Sequence, residues 1–142
     1  MTIGRLIEDR DAAITTCEAS RSVGDAVSLL AERRIGALPV VDGGEVVGIF
    51  SERYVIYRIA EGGPGILEQA VQEVMTSPPV TVGPEASALA ALSLMTRRRM
   101  RHLPVMAAGQ MIAFISIGDL VKYRIDMIES EAEAMRNYIQ TA

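Results

Sequence analysis

The chain has 142 residues, of which 49% are hydrophobic, and a formal net charge of −4. This length suits one ordinary domain, and the acidic balance argues against the basic surface with which proteins bind nucleic acid. A single cysteine and a single histidine exclude a zinc site built from those ligands. No apolar run is long enough to span a bilayer, and the first residues lack the apolar segment of a signal peptide. We therefore expect a soluble, cytoplasmic protein without a nucleic-acid or membrane partner.

The first half of the chain predicts a strand, a helix, a hairpin and a second helix. A Ser22–Asp25 capping pair marks the start of the first helix, and Asp42-Gly43-Gly44-Glu45 forms a typical hairpin turn. The predicted elements are a strand at 14–17, a helix at 23–34, strands at 38–41 and 46–50, and a helix at 52–60.

The second half of the chain predicts the same plan. Its elements are a strand at 80–82, a helix at 88–99, strands at 103–106 and 111–115, and a helix from Gly118, with one short helix around 66–75 before them. We divide the chain into a first unit at 1–62, a connecting segment at 63–79, a second unit at 80–125 and a C-terminal amphipathic helix at 126–142.

The two halves are copies of one sequence unit. When residues 16–59 are moved along by 65 positions without a gap, 12 of 44 positions carry the same residue in both copies. Unrelated segments would share roughly 3 of these positions by chance, so an internal repeat is indicated. The identical positions are Thr16, Ser22, Ala26, Ser28, Leu29, Arg33, Arg34, Leu38, Pro39, Val40, Gly44 and Ser51. One copy of about 50 residues would bury little surface alone, and we expect the copies to pack together.

Motifs shared by both copies resemble the CBS domain. Each copy opens its second strand with Leu-Pro-Val, has a glycine in its hairpin, and ends its third strand in Gly-Ile-Phe-Ser or Ala-Phe-Ile-Ser before a helix. Two such units in tandem resemble a CBS pair, or Bateman module, over residues 1–125. The resemblance implies an α/β (α+β) fold of two β-α-β-β-α repeats packed as a pseudo-twofold pair. It also implies a regulatory protein rather than an enzyme, which requires no cofactor and binds AMP, ADP, ATP, NAD(H), S-adenosylmethionine or a similar adenosine compound.

The resemblance implies a ligand site where the second copy's third strand meets its last helix. Family members carry Gly-x-x-Thr/Ser-x-x-Asp there, and this chain has Ser116-Ile117-Gly118-Asp119, which we call the Asp119 corner, with Ala113 in the glycine position. A carboxylate can accept hydrogen bonds from both ribose hydroxyls, and a helix N-terminus favours a phosphate. The alternative is that Ser116 and Asp119 only cap the helix.

Two further groups complete the predicted site at the Asp119 corner. Arg101 and His102 are expected to contact phosphate, because Gly36 and Ala37 oppose them in the first copy and basic residues before Leu-Pro-Val face phosphates in nucleotide-binding relatives. Residues Val80, Thr81 and Val82 are expected to contact the adenine through their backbone. The neighbouring arginines at 97–99 are interpreted as cations at a helix C-terminus.

The first copy departs from the family pattern. It reads Ser51-Glu52-Arg53-Tyr54, the Tyr54 corner, and a phenol cannot accept hydrogen bonds from a diol as a carboxylate does. A possible second cleft would use Thr15, Thr16, Ser51, Arg53 and Tyr54, with Ser51 or Arg53 on a phosphate or Tyr54 stacked on a base. We expect two unequal clefts, the stronger at the Asp119 corner.

The C-terminal segment predicts an interaction helix. Its apolar residues follow spacings of 3, 4, 3 and 4, and they are Ile125, Ile128, Ala132, Met135 and Ile139. Two heptads are too few for a stand-alone coiled coil. We expect the helix to pack against a repeat of its own chain or of a second copy and to stabilise a homodimer. The alternative is binding to a separate target protein.

Three classes of function follow from these residues. The leading one is a sensor that binds an adenine nucleotide or dinucleotide and reports energy or redox state to a partner. The alternative is a structural or interaction module whose clefts have lost their ligands, as Tyr54 and Ala113 suggest. A catalytic role ranks last, because no paired acids, no nucleophile with a base and no metal-ligand set converge in the sequence.

Overall fold

The computed structural model describes residues 1–10 and 13–141, and it contains two copies of a helix, hairpin and helix arrangement. In chain order the elements are α1 (Ile3–Ile7), β1 (Cys17–Glu18), α2 (Val23–Arg33), β2 (Ala37–Asp42), β3 (Glu45–Ser51), α3 (Glu52–Gly62), 3₁₀ turns at Pro64–Glu68 and Val71–Glu73, α4 (Ala88–Arg98), β4 (His102–Ala107), β5 (Gln110–Ser116) and α5 (Ile117–Thr141). This order confirms the mixed α and β fold expected from the sequence.

The two hairpins match residue by residue. In the first sheet β1 pairs parallel to β2 and β2 pairs antiparallel to β3, so that Ala37 faces Ser51. In the second sheet β4 pairs antiparallel to β5, so that His102 faces Ser116. Both ladders shift register at the same place, after Val40 and after Val105. The shared backbone therefore places the Tyr54 and Asp119 corners at equivalent positions.

Three predicted elements differ from the structure. The predicted strand at 14–17 shrinks to Cys17–Glu18, and the predicted strand at 80–82 is a single parallel bridge between Val82 and Val105. Pro84 follows two residues later and has no N–H to extend a ladder. The predicted helix at 66–75 is two 3₁₀ turns, because Ala70 is extended and bridges Ser22 between them.

Each hydrophobic core contains residues from the segment that precedes the other copy. The first core is built from α2, β2, β3 and α3 and is completed by Ile66, Val71 and Val74. The second core is built from α4, β4, β5 and α5 and is completed by Ile3 of α1. We call these two stretches, around Ile3 and at residues 66–74, the exchanged segments. Backbone bridges from Thr2 to Ser87 and from Ser22 to Ala70 hold them against the copy whose core they complete. The cores therefore do not follow the division at residues 62 and 79 that the sequence suggests, and α1 was not predicted.

The last helix is continuous. α5 runs from Ile117 to Thr141, so the predicted C-terminal helix is the extension of the last helix of the second copy; residue 142 lies outside the described residues. Leu120 is buried in the second core, whereas every residue from Ile128 to Thr141 is exposed. At about 1.5 Å per residue, α5 is long enough to leave the second core by several turns.

Candidate functional site

A cavity of about 500 Å³ lies between the two copies, and we call it the open cleft. Five segments line it, namely residues 36–37, 49, 51–54, 76–80 and 98–102. The first three segments belong to the first copy, and the last belongs to the second. Residues 76–80 are the stretch of chain that joins them.

Backbone hydrogen bonds position the walls of the open cleft. The Glu52 N–H donates to the Gly36 carbonyl over 2.9 Å, which fixes the start of α3 beside the start of β2. Ile49 and Thr76 exchange two hydrogen bonds of 3.0 and 2.9 Å, which hold the joining segment against β3. On the far side, Arg99 adopts a left-handed conformation (φ 54°) that ends α4 and turns the chain into β4.

The lining of the open cleft is strongly cationic. Four arginines and one histidine line it, namely Arg53, Arg98, Arg99, Arg101 and His102, and Glu52 is the one acidic residue among the lining residues. The Arg53 Nη1 donates to the Arg99 carbonyl over 3.2 Å, so this side chain ties the two copies together. Apolar side chains of Ile49, Val80 and Met100 form the rest of the wall. A cavity with this lining favours an anionic ligand that also has an apolar part.

His102 is held against the second sheet at the edge of the open cleft. Its ring stacks on Phe114 with centroids 5.4 Å apart and planes inclined by 13°. Burial lowers the pKa of His102, while the Asp119 and Glu52 charges oppose that shift. The net effect is a lowered pKa for the imidazole in the free protein. An adjacent phosphate would favour its protonated form.

The Asp119 corner is engaged by contacts within the chain. The Ser116 N–H donates to Asp119 Oδ2 over 2.8 Å, and the Asp119 N–H donates to Ser116 Oγ over 3.2 Å, which is a reciprocal capping box. Arg10 Nη2 lies 2.5 Å from Asp119 Oδ1. Burial acts to raise the pKa of Asp119, but the Ser116 N–H and the Arg10 guanidinium outweigh it, and the net shift is downward.

The structure groups the predicted site residues differently from the sequence. The open cleft contains Val80, Arg101 and His102, but it combines them with Ser51, Arg53 and Tyr54 of the first copy. The other predicted residues are not among its lining residues, and they are Thr15, Thr16, Thr81, Val82, Ser116, Ile117, Gly118 and Asp119. The joining segment lines the open cleft where it bonds to Ile49 of the first copy. Val82 lies further along the chain and is outside this lining.

Several residues of the open cleft were not expected to bind ligand. Arg98 and Arg99 were interpreted as cations at the helix end, and the stretch from Thr76 to Pro79 was interpreted as a connection. The left-handed turn at Arg99 brings the arginines into the cleft. The signal that could have found them is the basic run itself: the first copy matches Arg98 and Arg99 with Arg33 and Arg34, but only the second copy extends the run with a flanking Arg97 and Arg101.

The described part of the chain offers neither a metal cluster nor a membrane-spanning helix. Over residues 1–10 and 13–141, no group of three or more histidine, cysteine and acidic side chains is arranged to hold a metal ion. Within the same residues, none of the helices combines the length and the apolar character that crossing a bilayer requires. Cys17 is a buried thiol, and its burial raises its pKa.

Comparisons with known proteins agree with this architecture. A family model described as CBS domain matches residues 10–61 and again residues 71–126. The mitochondrial CBS domain-containing protein CBSX3 of Arabidopsis thaliana is 36% identical over 129 residues, which cover 87% of this chain and 63% of that protein. A solved CBS-domain protein from Burkholderia ambifaria is 38% identical with a TM-score of 0.83, covering 89% of this chain and 95% of the other. CBSX2, solved in complex with AMP, is 27% identical with a TM-score of 0.75, covering 89% and 97%.

Two matched repeats with a cleft between them define a tandem-repeat module. The chain belongs to the CBS-domain family, as a pair of CBS repeats. It spans 63% of the length of the Arabidopsis relative and 38% of the length of a curated relative from Thermofilum pendens.

Proposed function

We propose that this chain is a regulatory module, not an enzyme, that binds an adenosine-containing ligand such as AMP, ATP or NAD(H) in the open cleft. The observation that carries the proposal is the cleft itself, about 500 Å³ in volume and lined by arginines together with apolar side chains. That volume lies within the range of roughly 300–1,000 Å³ that is usual for small-molecule sites. The related CBSX2 structure was solved with AMP, which supports this choice of ligand.

The lining residues suggest how a nucleotide would lie. Arg101 and His102 are placed to contact phosphate, and charge-assisted hydrogen bonds from guanidinium groups are the stronger kind. Ile49 and Val80 offer apolar surface for the adenine. Ser51 offers a hydroxyl for the ribose or a phosphate. The proposed site thus keeps the phosphate contacts expected from the sequence and moves the rest to the Tyr54 corner.

Titration calorimetry with AMP, ATP and NAD⁺ tests the ligand proposal. The Arg101→Ala variant should raise the Kd for the bound nucleotide at least tenfold, because a hydrogen bond to a charged group contributes about 1.5–3 kcal/mol. The matched control is Arg97→Ala, which removes a nearby charge on α4 that does not line the open cleft and should change the Kd less than about twofold.

A thermal-shift measurement separates the two leading functions. A ligand at a hundred times its Kd should stabilise the folded protein by about 2.7 kcal/mol, which is readily visible as a higher Tm. A panel of adenine nucleotides at millimolar concentration that leaves the Tm unchanged would contradict the sensor proposal. The structural or interaction module, with Tyr54 replacing the acidic residue, would then be the better description.

We also propose that the exposed part of α5 forms a homodimer. Ile125, Ile128, Met135 and Ile139 are all about half exposed or more on a helix that extends beyond the second core. Covering such side chains is favourable at about 25 cal/mol per Å² of apolar surface, although ordering costs offset part of it. A cytoplasmic location and a target protein that receives the signal both stay predictions from the sequence.

Sedimentation of the full chain and of a chain truncated after Tyr123 tests the dimer. The full chain should be a dimer and the truncated chain should associate more weakly, while nucleotide binding in the open cleft, which α5 does not line, is retained. A monomeric full chain, or a truncated chain that dimerises equally well, would leave α5 as a helix for a separate target protein.

A further inference from the structure

Arg10 connects two parts of the chain that are far apart in sequence. It lies just after α1, and its guanidinium contacts the end of β5 and the start of α5. Nη2 lies 2.5 Å from Asp119 Oδ1, and Nη1 donates to the Phe114 carbonyl over 3.3 Å. α1 itself is anchored through Ile3, which is fully buried in the second core. The Arg10 contact is therefore held in place by packing on one side and by two polar contacts on the other.

These contacts occupy the carboxylate that a ribose would need. Asp119 Oδ2 accepts from the Ser116 N–H, and Asp119 Oδ1 faces the Arg10 guanidinium. Each carboxylate oxygen can accept a second hydrogen bond, but a diol that donates to both oxygens would have to reach Oδ1 beside the Arg10 guanidinium that already lies against it. An arginine paired with a carboxylate is a strong competitor, because both partners of its hydrogen bonds are ionised, whereas a ribose hydroxyl is neutral.

The Tyr54 corner has no equivalent contact. α3 begins there without a side-chain cap, and the hydroxyl and guanidinium groups of Ser51 and Arg53 line the open cleft. Among the described residues, the open cleft and its cationic lining thus lie beside the corner that lacks the aspartate. The aspartate is on the side where Arg10 already holds it.

We propose that Arg10 determines which of the two corners takes the ligand. It holds Asp119 so that a nucleotide binds in the open cleft alone, and loss of its charge makes the Asp119 corner a second site. This inference rests on the proposed function, since it concerns where the same class of ligand binds. It assigns the acidic residue of the second copy to a contact within the chain rather than to the ligand.

Calorimetry with AMP on purified full-length variants tests the proposal. The unaltered protein should bind about one AMP per chain, and Arg10→Gln and Arg10→Met should each bind about two, with the first Kd changed less than about twofold. Arg10→Lys is the matched control, since it keeps the charge and should still bind about one. Adding Asp119→Asn to Arg10→Gln should return the count to one. The Arg10 side chain is 34% exposed, so these changes disturb little of the core.

The outcomes separate this inference from the proposed function. Two AMP per chain in the unaltered protein, or one in both charge-removing variants, overturns the role of Arg10 and leaves the open cleft as a site. No AMP bound to any variant overturns both. A second measurement needs no variant: the NMR signal of the Arg10 Nε–H should keep its position when the unaltered protein is saturated with AMP. A large shift of that signal would overturn the inference.

Discussion

The two strand-to-helix corners share a backbone but differ in what they contact. At the Asp119 corner a reciprocal capping box and an ion pair to Arg10 satisfy the polar groups within the chain. At the Tyr54 corner the helix begins without a side-chain cap, and the side chains line the open cleft. Side chains of one corner thus line a cavity, while those of the other contact each other and Arg10. An equivalent backbone position therefore does not by itself decide which partners these side chains have.

The largest expected difference between the copies concerns the exchanged segments. At Gly48 an added Cβ would lie 2.8 Å from the Thr76 carbonyl and would overlap the Met75 side chain, whereas the second copy has Ala113 at the matching position. Gly48→Ala should cost about 1–3 kcal/mol through overpacking and should weaken nucleotide binding, because residues 76–80 line the open cleft. Urea unfolding and AMP titration measure the two effects.

Ala113→Gly is the matched control for that comparison. It removes a buried methyl group without a clash and should cost about 0.5–1 kcal/mol through the conformational entropy of glycine, plus a small loss of packing. Nucleotide binding should be unchanged, since Ala113 is not a lining residue. Equal effects of Gly48→Ala and Ala113→Gly on binding would contradict the asymmetry.

The second comparison removes the aspartate from the Asp119 corner and, in a separate variant, adds one to the Tyr54 corner. Asp119→Ala removes the capping box and the ion pair and should cost about 1–2 kcal/mol. Because the folded-state pKa of Asp119 is lowered, its contribution is present above the unfolded value of 3.8 and is lost as pH falls through the folded pKa. The difference in unfolding free energy between the variant and the unaltered protein should therefore shrink below pH 3.8.

Tyr54→Asp is the reverse change. It creates Ser-x-x-Asp in the first copy and should gain about a few tenths of a kcal/mol net, because a new side-chain cap on α3 outweighs the loss of the edge contact between Tyr54 and Tyr57. It also places a carboxylate beside the open cleft, where it should raise affinity for a ribose-containing nucleotide. If Asp119→Ala proves neutral and Tyr54→Asp destabilising, the capping interpretation of these corners is wrong.

The last comparison concerns the hairpin turns, where we expect small changes in stability of opposite sign. Ala108 has φ 51° where the first copy has Gly43 with φ 59°, so one of two equivalent left-handed positions has a side chain. Ala108→Gly should stabilise the protein by about 0.5–1 kcal/mol, because relief of the Cβ clash exceeds the entropy of the added glycine. Gly43→Ala should destabilise by a similar amount. Thermal unfolding of both variants measures the two changes in stability. Changes of the same sign would contradict this expectation.

Local signals accounted for most of the fold. α2 and α4 begin one residue after Ser22 and Ser87, whose hydroxyls accept from N–H groups three residues later, and such caps are visible in a sequence. α1 was missed because it has five residues and too short a pattern to show periodicity. Its burial depends on Ala86 and Pro84, which accept hydrogen bonds from Ile3 and Gly4 across about 80 residues of chain.

The site was only partly predictable for the same reason. Arg101 and His102 were identified because the two copies differ there in charge. The pairing of Arg10 with Asp119 brings together residues with no shared motif, and only the fold makes them neighbours. Whether Asp119 faces a ligand or its own chain therefore could not be decided from the Ser-x-x-Asp spacing.

The exchange of segments also sets an order of events during synthesis on the ribosome. The first core can close once Val74 has emerged, because all its residues precede that point. The second core must wait for Leu120 and then recruit Ile3, which was made more than a hundred residues earlier. The N-terminal segment thus stays unpaired while the first repeat folds. The Arg10–Asp119 contact likewise joins this segment to a residue made more than a hundred positions later, so it cannot form before the second repeat has been made.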